Sequence, residues 1–85
     1  VISGKLINIS MGGAAIICDD IIRLEHVKVN QVIKPTTIII ESKHISCSSQ
    51  VIYKENNLLA INFIDYNEPF LYALSRFIFD KISKI

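Results

Sequence analysis

Residues 44–53 alternate between two kinds of side chain, and this alternation limits the possible folds more than any other feature of the sequence. One set of alternate positions holds Ile45, Cys47, Ser49, Val51 and Tyr53. The other set is polar except for Ile52. Because successive side chains of a β-strand point to opposite faces, the segment is predicted to be a strand with one buried face. A single strand cannot bury that face alone, so the chain must form a sheet with a core on one side.

Composition favours strands in the rest of the chain as well. Of the 85 residues, 51% are hydrophobic, and isoleucine is the most frequent of them. β-branched side chains pack well on a sheet and lose rotamer freedom in a helix. A chain of this length buries only about 60–65% of its unfolded surface, so a stable core needs this high apolar content. We therefore expect one domain spanning residues 1–85.

Hydrophobic patterning and turn residues predict five strands. They cover residues 1–9, 13–18, 36–42, 44–53 and 58–64. The polar residues 54–57 form a predicted hairpin loop before the last strand. Residues 19–34 are ambiguous, and we favour a helical turn or loop followed by an extended piece.

An amphipathic helix is predicted over residues 67–84. Asn67 suits the N-cap, and Glu68 and Pro69 suit the first helical turn. Apolar residues then recur three or four positions apart, which predicts one buried stripe. This stripe comprises Phe70, Leu74, Phe77, Ile78, Ile82 and Ile85. Strands joined by short turns before a single helix indicate a mainly β fold, either a barrel or a sandwich.

Charge and motif content exclude several classes of function. The net charge of +1 provides no electrostatic footprint for DNA, RNA or an anionic membrane. The longest apolar runs are far shorter than the roughly 20 residues of a membrane span, and no signal peptide is visible. No motif of a known catalytic site is present, so we do not expect an enzyme.

The cysteines and histidines do not have the spacing of a metal site. Cys18 and Cys47 are isolated in the sequence, and His26 and His44 do not complete a paired set of ligands. We expect two buried free thiols rather than a disulfide or a zinc site. Free thiols fit a reducing, cytoplasmic compartment. No metal or cofactor is expected.

The segment Asn8-Ile9-Ser10-Met11-Gly12-Gly13 forms the predicted turn between the first two strands. Paired glycines permit positive φ and allow a ligand or another backbone to approach closely. The segment also carries an amide and a hydroxyl that can hydrogen bond. Two interpretations stay open: a ligand-contact element, or an Asx- or Ser-stabilised hairpin turn that binds nothing.

This turn resembles the second signature motif of PilZ domains, which are cyclic di-GMP receptors. That motif reads Asp/Asn-x-Ser-x-x-Gly between two strands. Residues 59–63, Leu-Ala-Ile-Asn-Phe, are similar to the closing strand of the family, with Ala60 where glycine is usual. The predicted helix over residues 67–84 follows, as it does in the family. The resemblance implies a small antiparallel β-barrel with a C-terminal amphipathic helix.

The resemblance also implies a binding site for cyclic di-GMP. The residues that match the motif are Asn8, Ser10, Gly12 and Gly13. The side chain of Asn8 would face the Watson–Crick edge of guanine, which presents N–H donors. An aspartate accepts both donors, whereas asparagine has one oxygen and should bind more weakly.

PilZ domains that bind the dinucleotide also carry an Arg-x-x-x-Arg motif before their first barrel strand. This sequence contains only Arg23 and Arg76, which are too far apart to form that motif. By the family layout the chain begins within the second strand, so the first strand and the arginines would lie upstream. Each lost bidentate arginine contact removes about 1–3 kcal/mol, so we expect these residues alone to bind cyclic di-GMP poorly or not at all.

Two functional hypotheses follow from the resemblance. The first is a bacterial regulatory domain that responds to cyclic di-GMP and signals to a protein partner. The second is a divergent PilZ-like adaptor that contacts another protein through its helix or a strand edge and does not bind nucleotide. A barrel without its first strand exposes unpaired edges, so we also expect self-association through those edges.

Overall fold

The computed structural model describes residues 4–19, 24–40 and 42–83. Its strands are β1 (Gly4–Ile9), β2 (Gly13–Cys18), β3 (Val32–Ile40), β4 (Lys43–Glu55) and β5 (Leu58–Asp65). One helix, α1 (Glu68–Ser83), follows the last strand. The predicted mainly β fold with a C-terminal helix is therefore confirmed.

All five strands belong to one antiparallel sheet with the order β1-β2-β5-β4-β3. β1 and β2 form a hairpin, and β3, β4 and β5 form a meander. The pairing of β2 with β5 joins these two units. Within the described ranges β1 and β3 each have one unpaired side, so the sheet is an open, curled half-barrel.

β3 begins at Val32, before the predicted start at residue 36, and it continues through Pro35. Proline removes one donor from the ladder, which is tolerated in an edge strand or at a bulge. Both conditions hold here, because β3 is an edge strand and its register with β4 shifts between Ile33 and Thr36. The hydroxyls of Thr36 and the buried Ser49 lie 2.5 Å apart across this irregularity, so the buried hydroxyl of β4 is satisfied.

The turn between β4 and β5 is shorter than the predicted four-residue loop. Pairing continues to Glu55 and Leu58, so only Asn56 and Asn57 form the turn. Asn56 has a φ of 55°, in the left-handed region that asparagine tolerates better than most residues. Polar composition alone does not end a strand when the side chains can face solvent.

The described part of the ambiguous segment contains a helical turn at Leu24 and Glu25. Leu24 and Val27 are both buried in the core. The Nζ of Lys54 on β4 donates to the carbonyl oxygens of Leu24 (3.2 Å) and Val27 (2.7 Å). This lysine therefore fixes the segment to the sheet at the end of its helical turn, where carbonyl groups lack intrahelical donors.

The alternation in β4 persists as far as Val51 and then stops. The buried positions are Ile45, Cys47, Ser49 and Val51. Tyr53 was predicted on the same face, but it is 44% exposed. The reason is a register shift between Val51 and Tyr53, because a bulge adds one residue and redirects the side chains that follow. Ile52 and Tyr53 consequently both reach the outer surface.

Helix α1 begins as predicted, because Asn67 Oδ1 accepts a hydrogen bond from the amide of Phe70 at 3.0 Å. Among the predicted stripe, the buried and partly buried members are Phe70, Leu74, Phe77 and Ile78. The predicted members Ile82 and Ile85 lie outside the described side chains. No helix within the described ranges is long and apolar enough to cross a membrane.

The core lies between the concave face of the sheet and α1. Phe70 of the helix meets Phe63 of β5 edge-to-face, with ring centroids 5.2 Å apart. Cys18 and Cys47 are both free thiols buried in this core, as predicted. Burial, followed by the negative charge of Asp65, raises the pKa of Cys47 to about 11. Both thiols are therefore protonated and unreactive at neutral pH.

We predict that the domain loses stability as the pH rises from about 9 to about 11. The unfolded chain releases the Cys47 proton near pH 9, whereas the folded chain holds it to about pH 11. The stability that the protonated Cys47 thiol contributes is fully present below about pH 9 and is lost as the pH rises to about 11. Urea unfolding across this range should give a flatter pH dependence for Cys47→Ala than for the wild type. If the free energies of unfolding of the wild type and Cys47→Ala change in parallel with pH, the raised pKa of Cys47 is contradicted.

Candidate functional site

The predicted ligand-contact turn connects β1 to β2 at one end of the sheet. The amide of Ser10 donates to the carbonyl oxygen of Gly13 at 2.9 Å, which leaves Met11 and Gly12 as the two residues of the turn. The carbonyl oxygen of Gly12 accepts a hydrogen bond from the amide of Phe63 at 2.9 Å. The turn is thus fixed on one side to β5 as well as to its own hairpin.

The sequence suggests that the paired glycines permit a positive φ, but neither Gly12 nor Gly13 has one. Gly13 is needed for close approach, because a Cβ there would collide with the carbonyl oxygen of Ile61 on β5. A Cβ on Gly12 would meet no atom within 4 Å. Gly13 therefore has a structural role in the pairing of β2 with β5, whereas the fold does not require Gly12.

Ser10 and Asn8 differ in how fully the turn uses their side chains. The Ser10 hydroxyl donates to the Gly13 carbonyl at 3.4 Å and accepts from the Gly12 amide at 3.3 Å. Both bonds are long and therefore weak. The Asn8 side chain is exposed and has no hydrogen-bond partner among the described residues. The serine stabilises the turn, but the asparagine does not.

The turn opens onto a shallow depression of about 300 Å³ on the outer face of the sheet. All four predicted site residues line it. Its floor is low because β2 carries no side chain at Gly13 and only a methyl group at Ala15. Three lining residues outside the β1–β2 hairpin were missed from the sequence: Ile52 on β4, and Ile61 and Asn62 on β5. Only the pairing of β2 with β5 brings these residues beside the turn.

Among the residues that the structure describes, no charged side chain lines the depression. Its lining comprises Asn8, Ile9, Ser10, Gly12, Gly13, Ala14, Ala15, Ile52, Ile61 and Asn62. It therefore presents amides, one hydroxyl and apolar surface to a ligand. Such a surface suits an uncharged, planar group with hydrogen-bonding edges, whereas a phosphate needs cations or several convergent N–H groups.

A larger depression of about 480 Å³ lies near the bulge of β3, and it has a different character. Its lining includes the charged residues Lys34 and Asp65 together with Tyr66. None of the predicted site residues contributes to it. Among the described residues, no group of histidine, cysteine, aspartate and glutamate side chains is placed to hold a metal ion.

Comparison with protein families identifies the fold. The sequence model of the PilZ domain matches residues 1–80. The chain belongs to the PilZ domain family. No curated protein and no solved structure gives a significant match to the chain. Membership of the PilZ family supports a regulatory domain related to cyclic di-GMP.

Arg76, the arginine within the described residues of this PilZ domain, does not line the depression. Arg76 lies on the exposed side of α1, where one of its guanidinium N–H groups donates to the Tyr72 hydroxyl at 3.3 Å. Arg23 lies outside the described residues. His26 and His44 are exposed and do not line either depression.

We predict that the two glycines of the turn respond differently to substitution. Gly13→Ala should destabilise the domain by about 1–3 kcal/mol, because the new methyl group forces β2 away from β5. Gly12→Ala is the matched control and should change stability by less than about 0.5 kcal/mol. Urea unfolding of both variants measures this difference. Equal effects would contradict the structural role of Gly13.

Proposed function

We propose that this PilZ domain binds cyclic di-GMP and that one guanine lies in the depression beside the Asn8–Gly13 turn. The observation that carries the proposal is the exposed amide of Asn8, which has no hydrogen-bond partner among the described residues and lies at the rim of a depression that no described charged side chain lines. An asparagine that neither supports its turn nor lies buried is available to a ligand. Its oxygen can accept from an N–H donor of the guanine Watson–Crick edge.

The uncharged lining supports a base rather than a phosphate at this position. The low floor at Gly13 and Ala15 admits a flat ring, and the exposed Ile52 provides apolar contact beside it. The phosphates of the dinucleotide would then lie outside the depression. Their recognition needs cationic groups, which the depression lacks, and binding by these residues alone should accordingly be weak.

The proposal predicts localised changes in an NMR titration with cyclic di-GMP. This method detects weak as well as tight binding. Amide resonances of Asn8, Ser10, Gly12 and Gly13 should shift in a saturable manner. Asn8→Ala should weaken binding about tenfold through the lost hydrogen bond, and Asn8→Asp should strengthen it several-fold because a carboxylate accepts both guanine donors. Glu25→Gln, a charge change far along the chain, is the control.

Two results would overturn the proposal. Absence of saturable shifts at the turn with millimolar ligand would show that the depression is not a cyclic di-GMP site. Equal affinities for the wild type, Asn8→Ala and Asn8→Asp would show that the ligand binds elsewhere.

A second candidate function, a protein-interaction adaptor, is favoured by the outer side of α1. Tyr72 and Phe79 are 65% and 68% exposed there, one above the other at a spacing of seven residues. Large exposed apolar side chains on the same side of a helix are typical of protein contacts. A domain that responds to a ligand also needs a surface for its output partner, so this surface is compatible with either function.

The two buried free thiols support the expectation of a reducing, cytoplasmic environment.

We also propose that this chain self-associates through its two sheet edges. The exposed side chains of Ile7 on β1 and Ile39 on β3 lie on edge strands, whose outer sides have no neighbouring strand among the described residues. Sedimentation velocity should therefore show concentration-dependent dimers, which Ile7→Lys or Ile39→Lys weakens. Phe79→Lys, on the helix, is the control and should leave association unchanged. A monomer at millimolar concentration, or dissociation by the control alone, would contradict edge pairing.

A further inference from the structure

Asn62 lies across the depression from the Asn8–Gly13 turn. In the ladder between β2 and β5, Asn62 is the direct partner of Gly13. Its neighbours Ile61 and Phe63 are buried, so the alternation of β5 directs Asn62 to the outer face. Because Gly13 has no side chain, nothing from β2 stands between Asn62 and the turn. The amide of Asn62 therefore borders the open floor of the depression.

The Asn62 side chain has no hydrogen-bond partner among the described residues. Its neighbour in the same row, Gln50 on β4, provides a contrast. The Gln50 amide donates to the carbonyl oxygen of Asn30 at 3.1 Å and is therefore used by the fold. Like Asn8, Asn62 has no side-chain hydrogen bond within the described part of the chain, and both asparagines line the same depression.

The spacing of the two asparagines suits one base between them. Asn8 is the partner of Ala15, Ala15 is the partner of Ala60, and Asn62 lies two residues further along β5. Two strand spacings and two residue rises place their Cα atoms about 12 Å apart. This distance leaves room for a heterocyclic base that forms hydrogen bonds at two of its edges.

We propose that Asn62 is a second base-contacting residue, which donates its side-chain N–H to the O6/N7 edge of the guanine that Asn8 contacts. This inference rests on the proposed binding of cyclic di-GMP. The edge with the N7 and O6 acceptors adjoins the Watson–Crick edge, so a guanine whose Watson–Crick donors bind Asn8 can turn its N7/O6 edge toward Asn62. Asparagine has two N–H donors on its amide nitrogen, so it can donate to either acceptor. A bond to either acceptor then fixes the orientation of the base, and a bond to O6 selects for guanine because adenine carries a donor at that position.

The test compares cyclic di-GMP affinities of three variants by NMR titration. Asn62→Ala should weaken binding about tenfold through the lost hydrogen bond. Asn62→Asp should weaken it at least as much, because a carboxylate has no donor and its charge opposes the acceptor edge. Gln50→Ala is the matched control, since it removes an amide from the next strand outside the depression, and it should leave affinity unchanged. Unperturbed spectra away from the site verify that each variant is folded.

The outcomes separate this inference from the proposed function. If cyclic di-GMP causes no saturable shifts at the turn of the wild type, the proposed function fails and this inference fails with it. If Asn8→Ala weakens binding but Asn62→Ala does not, the proposed function stands and the role of Asn62 is wrong. Tighter binding by Asn62→Asp also overturns the inference, because Asn62 would then face the donor edge.

Discussion

The antiparallel pairing of β2 with β5 is the interaction on which the rest of this structure depends. Every other strand pair of the described sheet joins strands that follow one another in the sequence. This pair instead joins the N-terminal hairpin to the meander of β3, β4 and β5. Closing such a long loop costs conformational entropy before contacts offset it, so the pairing must be favourable along its whole length. At the turn end, Gly13 permits this pairing, because the Cβ of any other residue there would collide with the backbone of β5.

The same pairing creates the candidate site. The hairpin contributes Asn8 and Ser10, whereas the meander contributes Ile52 and Asn62. Neither unit alone encloses the depression. Gly13 consequently has two roles that cannot be separated by sequence: it permits the close approach of the strands, and its missing side chain leaves the floor low. A glycine in a binding motif is therefore not evidence of direct ligand contact, since here the backbone itself requires it.

The hydrogen bonds within the turn likewise distinguish the roles of Ser10 and Asn8 in the motif. Ser10 stabilises the turn through Gly12 and Gly13, although its bonds are long. Asn8 contributes nothing to the turn, so its side chain is available at the rim. The interpretation of the motif as a stabilised hairpin thus accounts for the serine and leaves the asparagine unexplained. The proposed recognition of guanine would give the asparagine a role, and the proposed contact from Asn62 would extend that role across the depression.

Much of the fold was predictable because local patterns have direct physical causes. Alternation identified the buried face of β4 as far as Val51, and the cap and apolar spacing identified α1 from Asn67 onward. The four motif residues could also be found, because a turn is a local structure. The exposure of Tyr53 could not be predicted, because it depends on a bulge in the pairing of β4 with β5. The passage of β3 through Pro35 was likewise unpredictable, since an edge position is a property of the whole sheet.

The sequence by itself determined the number and approximate positions of the strands, the terminal helix and a turn that carries Asn8 and Ser10. Each of these depends on residues close together in the chain, whose periodicity and hydrogen-bonding groups act locally. The tertiary structure alone decided what faces the turn. Asn62 lies almost fifty residues beyond Gly13 in the sequence and becomes its direct partner only when β2 pairs with β5. A site formed across a long-range strand pair is invisible to local patterns, because register is fixed by burial of the whole sheet face.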